Sequence, residues 1–205
     1  MGVHGQLALA GLRSRWRASL LLLCCLTVAA TTLALGLVLR DQADRPWERA
    51  FDRANGAHVV VSAGDAGLLR RLATDPRVAA ATEPRAETFG TLRVDGRPLL
   101  ARLVAAPETS ETVDRPLLID GTAASSGGVV VEATLARALG LRVGDPVAVA
   151  RAAAGDGLLP TVGDGPGTPL SVAGIAVVTS QAPVPNTQPG LVLIDRADLA
   201  RVTAG

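Results

Sequence analysis

The longest apolar run covers residues 18–39, 22 positions without a charged side chain. At about 1.5 Å of rise per residue it makes roughly 33 Å of helix, enough to cross a hydrocarbon core of about 30 Å. Lipid offers the backbone no partners, so a segment that spans it is helical. Thr27, Thr31 and Thr32 interrupt the pattern, yet each can bond back to the preceding turn. Ala30, Ala34 and Gly36 either form a close-packing stripe for other helices or reflect the abundance of small residues. The rival reading is a cleaved signal peptide, with a weak small-x-small site at Ala34-Leu35-Gly36. The apolar core of such a peptide runs only ~7–15 residues, which favours a retained span.

Beyond the span the period changes. Pro46 opens an amphipathic stretch, its missing N–H costing nothing at a helix start. Trp47, Ala50, Phe51 and Ala54 follow at helical spacing, Glu48, Arg49, Asp52 and Arg53 take the other face, and Asn55-Gly56 is a stop signal. The stretch reads as a stalk, as a helix lying at the membrane interface, or as a core-facing helix of the next domain.

From residue 57 the pattern becomes short strands punctuated by turns. Strands are predicted over 57–63 and 78–82, with a short amphipathic helix over 67–74 between them. Residues 87–94 and 97–105 flank Asp95-Gly96, which supplies the positive φ angles of a tight hairpin. Residues 107–115 are polar and read as a loop. A short strand is predicted over 117–119 and another over 129–131, after the turn Ser125-Ser126-Gly127-Gly128. A helix over 132–139 stops at Gly140, and a strand over 147–150 follows. Residues 154–168, rich in Gly, Asp and Pro, make a flexible or hairpin loop. The last strands cover 170–179 and 191–194. Asp195 then caps a helix through Val202, with Asp198 as its capping-box partner. The fold class is α+β: one N-terminal transmembrane helix followed by a mixed α+β extracytoplasmic domain. Its divisions are a cytoplasmic tail at 1–17, the span at 18–39, a stalk or interfacial helix at 40–56, and the outer domain at 57–205.

Charge orients the chain. Arg13, Arg15 and Arg17 precede the span and no acid occurs before Asp41, which favours a cytoplasmic N-terminus in the cell membrane and an extracytoplasmic main domain. Trp16 and Trp47 bracket the span as an aromatic belt would. All basic residues are arginine, a usage that fits GC-rich bacterial coding, and the net charge of +1 gives no basic field for nucleic acid. Aromatic residues are only 2% of the chain, so any outer core is built from Val, Leu, Ile and Ala.

Composition also removes chemistry. Cys24 and Cys25 are adjacent and sit inside the apolar run, so they make neither a disulfide framework nor a zinc site. The sharper alternative, a lipoprotein cleavage site, lacks the small residue before the cysteine. His4 and His58 have no ligand-spaced partners. The chain holds no G-x-S-x-G and no lysine, so it carries neither a nucleophile elbow nor a P-loop, and Gly163-Asp164-Gly165-Pro166-Gly167 is no phosphate loop. Asp156 and Asp164 lack the spacing of a calcium loop. The chain is expected not to be an enzyme and to bind no cofactor or metal.

One stretch carries a resemblance. Val129-Val130-Val131-Glu132-Ala133-Thr134-Leu135-Ala136-Arg137-Ala138-Leu139-Gly140-Leu141-Arg142-Val143-Gly144-Asp145-Pro146-Val147-Ala148-Val149 is similar to the strand, helix, Gly-Asp turn and strand of ABC-transporter permeases of the FtsX/MacB type. Gly174-Ile175-Ala176 within 170–177 resembles the strand that closes that family's outer domain. Gly190-Leu191-Val192-Leu193-Ile194 with its Asp-led helix fits too, as does the arginine-flanked first helix. The resemblance implies a permease subunit in a bilayer, working with a separate cytoplasmic ABC ATPase that binds the ATP and with a second permease copy or paralogue. The outer domain would handle substrate or transmit force. The family continues with three or more further membrane helices, whereas nothing after residue 39 is apolar for long enough to span. A fragment or a truncated member is therefore expected. The alternative is a single-pass anchored extracytoplasmic binding module without transport activity.

Overall fold

The computed structural model describes residues 16–44, 46–108, 110–155, 160–180 and 189–204, with the backbone alone at 41–44 and 46. The chain divides into two units, Met1–Trp47 and Glu48–Gly205.

In the first unit, helix α1 (Trp16–Asp44) extends past the predicted span at both ends. Its stretch Trp16–Arg40 is long and apolar enough to cross a membrane, and none of that stretch is buried by protein. Apolar side chains point outward all round, with Leu21 66% and Leu33 67% exposed. An α-helix in water shows one apolar stripe; one apolar on every side suits lipid. The hydroxyls of Thr27, Thr31 and Thr32 donate to the carbonyls of Leu23, Thr27 and Val28, each at 2.8 Å, so none is left unsatisfied against hydrocarbon.

Helix α2 (Pro46–Ala54) begins at the boundary between the units. Its C-terminal end belongs to the second unit: Ala54 is fully buried and Phe51 half-buried. Asn55 follows in the left-handed region at φ 48°, the usual way a helix ends. Of the three readings open for this stretch, the core-facing one describes its last turn.

Residues 57–82 depart from expectation. Neither 57–63 nor 78–82 forms a strand. Val59, Val60 and Val61 are 75%, 63% and 53% exposed. Between these segments lies α3 (Ala66–Ala73), capped by Asp65 accepting from the Gly67 N–H, with no buried residue. β-branched composition favours a strand only where a neighbour pairs with it, and no described strand does so here.

Among the described residues, the remaining chain forms seven strands: β1 (Glu87–Val94), β2 (Arg97–Ala105), β3 (Leu117–Gly121), β4 (Gly128–Glu132), β5 (Pro146–Arg151), β6 (Thr168–Val177) and β7 (Gly190–Ile194). Two helices complete it, α4 (Ala133–Leu139) and α5 (Arg196–Ala204). The β1–β2 hairpin matches its predicted bounds, with Asp95 at φ 50° and Gly96 at φ 75° in the turn. The strand order is β3-β6-β4-β7-β2-β1-β5, and β5 pairs again with β6. That second pairing closes six strands into a barrel, which removes their open edges. The first half of β6, Thr168 to Ser171, pairs with β5; the second half, from Gly174 to Val177, pairs with β3 on the same side.

Alternation places one face of each of the six barrel strands inside. Leu92 and Val94, Leu103 and Ala105, Val129 and Val131, Val147 and Val149, Leu170 and Val172, and Val192 and Ile194 fill the interior. Leu199 and Val202 of α5 and Ala136 of α4 join them. No aromatic ring enters this core. A second cluster, Val130, Ala176, Val178, Leu191 and Leu193, packs on the opposite face with Val104, Ala106 and Ala124.

Candidate functional site

Of the residues that the sequence singles out as flanking a membrane span, Trp16, Arg17 and Trp47 lie among the described residues. Trp16 is the first described residue of α1, 57% exposed, and the Arg17 guanidinium lies 5.6 Å from its ring centroid. Such a stacked cation keeps its charge beside an amphipathic ring. Trp47, 38% exposed, lies in the first turn of α2. Arg13 and Arg15 lie outside the described residues.

Downstream of α2 the structure assembles a junction that the sequence did not announce. The Arg115 and Asp114 N–H groups donate to the carbonyls of Ala54 and Asn55, at 3.0 and 2.8 Å. Asn55 Nδ2 donates to the Thr112 carbonyl at 3.0 Å. A Cβ at Gly56 would fall 2.4 Å from the Phe51 ring, so a larger residue there would push the ring aside. The His58 ring meets Phe51 edge-on at 5.2 Å.

The polar segment 106–115 receives these bonds and is itself fastened to the barrel. The Ala106 N–H donates to the Ile194 carbonyl at the end of β7. Glu111 pairs with Arg85, both side chains largely shielded from water. Asp114, buried and in the left-handed region at φ 50°, accepts from Thr179 Oγ1 at 2.8 Å beyond the end of β6. Glu108 faces Arg196 at 3.7 Å on the surface. Asn55-Gly56 was legible as a helix stop, but nothing in the spacing pointed to its partners.

A second tie runs between α5 and the turn before β4. Asp195 caps α5 through the Ala197 N–H at 2.9 Å. Asp198 does not complete a capping box. It is wholly buried; Oδ2 accepts from the Gly127 N–H at 2.7 Å and Oδ1 from Arg201. Burial raises its carboxyl pKa, but the bonds from Arg201 and the Gly127 N–H outweigh that and hold it below the usual carboxylate value. A depressed pKa contributes stability above the unfolded value, near 4, that is lost as pH falls through the folded value. Asp198→Ala is therefore expected to cost about 2–3 kcal/mol at neutral pH, since it orphans a buried N–H and a charge-assisted bond. Urea unfolding at pH 7 and pH 3 checks this: the gap between parent and variant should narrow at the lower pH.

The Gly-rich loop is anchored rather than free. Arg93 donates to the carbonyls of Gly165 and Gly163 at 3.0 and 2.7 Å, and the Gly163 N–H donates to the buried Thr91 hydroxyl at 2.7 Å. A shallow groove of about 390 Å³ borders this loop, lined by Arg151, Asp164 and Arg201 among others, without a nucleophile–base pair. Asp156 lies outside the described residues. Among the described residues no three His, Cys, Asp or Glu side chains converge as metal ligands would.

No protein-family model matches the chain, and no curated protein sequence does. Several solved structures show likeness, among them these two. One is the extracellular domain of the noncanonic ABC-type transporter YknZ from Gram-positive bacteria, at 12% identity and TM-score 0.38 over 59% of this chain and 57% of that one. The other is the periplasmic region of MacB from Actinobacillus actinomycetemcomitans, at 15% identity and TM-score 0.42 over 66% of this chain and 56% of that one. The chain thus spans little more than half the length of either.

Proposed function

We propose that this chain is the membrane-anchored first part of a permease subunit of an FtsX/MacB-type ABC transporter. A separate cytoplasmic ATPase binds the ATP, a second permease copy or paralogue completes the transporter, and the outer domain handles substrate or transmits force. The observation that carries this reading is the pairing of an unburied, lipid-length apolar helix with a closed barrel built around the Val129–Val149 pattern. The arginines at 13, 15 and 17 and the tryptophans at 16 and 47 fit an N-terminus in the cytoplasm and a barrel outside.

The reading is tested by tagging the chain in its source cell and purifying it from detergent-solubilised membranes. Co-purification of an ABC ATPase subunit is the expected result. A membrane-bound chain that brings down no ATPase supports the second reading, an anchored binding module. The exposed Val59, Val60 and Val61 favour that reading, since an unpaired apolar segment suits a partner.

A further inference from the structure

We propose that Asn55 and the segment 111–115 form a rigid joint, so that the helix leaving the anchor and the barrel move as one body. This deepens the mechanical side of the function proposed above and rests on it only for its purpose. The polar segment 111–115, which connects β2 to β3, would ordinarily be a mobile surface loop. Here it is fixed on both sides. On the helix side, Asn55 holds the Thr112 carbonyl, while the backbone of Asp114 and Arg115 satisfies the last carbonyls of α2. Those carbonyls would otherwise lack partners at a helix end. On the barrel side, Asp114 holds Thr179 and Glu111 holds Arg85.

Two features set these bonds apart from ordinary loop contacts. Asn55 and Asp114 both sit at positive φ, at 48° and 50°, a conformation that Asn and Asp accept more readily than other residues with a side chain. Asp114 and Thr179 are also buried together, so their bond is shielded from competing water. A displacement of α2 is therefore passed to the ends of β6 and of the segment before β1, rather than absorbed between them.

The test is a distance measurement on the full chain in lipid nanodiscs. Spin labels are placed at Glu48→Cys on α2 and Arg97→Cys on the hairpin, both exposed positions, in a Cys24→Ser, Cys25→Ser background. The parent is expected to give one narrow distance. Asn55→Asp tolerates positive φ but cannot donate to Thr112, and Thr179→Val removes the donor to Asp114. Together they are expected to replace the narrow distance with a broad distribution, while hydrogen exchange of β1, β2 and β7 amides stays unchanged. A broad distribution in the parent overturns the joint, as does a variant as narrow as the parent. So does broadening accompanied by lost protection throughout the barrel. None of these outcomes depends on whether an ATPase co-purifies.

Discussion

A Gly174→Val variant is expected not to form the barrel. Gly174 sits where β6 exchanges β5 for β3 as its neighbour, opposite Gly121. A Cβ at Gly174 would fall 2.3 Å from the Thr122 carbonyl oxygen and 3.1 Å from that of Asp120. At Gly121, itself at φ 74°, a Cβ would fall 2.2 Å from the Ala173 oxygen. Backbone atoms cannot rotate away as a side chain would. Both flanking pairings already shift register nearby, between Leu118 and Asp120 and between Val129 and Val130, so the slack is already used. A penalty above about 4 kcal/mol is expected, a large share of the stability of an ordinary domain. Circular dichroism and amide protection read the outcome. Native melting by the variant would mean that β3 and β6 do not approach this closely.

The second large effect concerns the anchor. Val28 lies near the middle of α1 and is 64% exposed. Placing arginine at the centre of a membrane helix costs about 3 kcal/mol on insertion scales, roughly a hundredfold in partitioning. Val28→Arg should therefore move most of the chain from the alkali-resistant membrane fraction to the extractable one. Val61→Arg is the matched control, because Val61 is 53% exposed but lies in the outer unit. Equal membrane retention of the two variants would show that protein rather than lipid covers α1.

The sequence was most readable where one residue type decides a local shape. Asp95-Gly96 defined the hairpin and Gly140, at φ 68°, ended α4, because few other residues accept those angles. The inward Val and Leu positions were visible through alternation. Barrel closure was not, because pairing β5 with β6 joins segments separated by a long loop and no local pattern encodes it. Residues 57–63 were misread for the same reason in reverse: Val59 to Val61 have strand composition, but a strand exists only with a neighbour. Asp198 was assigned to a capping box by spacing, and tertiary burial redirected it to Gly127. The joint at Asn55 was invisible because its partners lie about 57 residues away along the chain.

The aromatic-free barrel has a spectroscopic corollary. Both tryptophans, Trp16 and Trp47, belong to the anchor unit, and the chain has no tyrosine. From Glu48 onward the only aromatic rings are those of Phe51 and Phe89, apart from the imidazole of His58. The second unit is therefore nearly dark in the near ultraviolet. Intrinsic fluorescence of this protein comes from Trp16 and Trp47, with no indole in the barrel core.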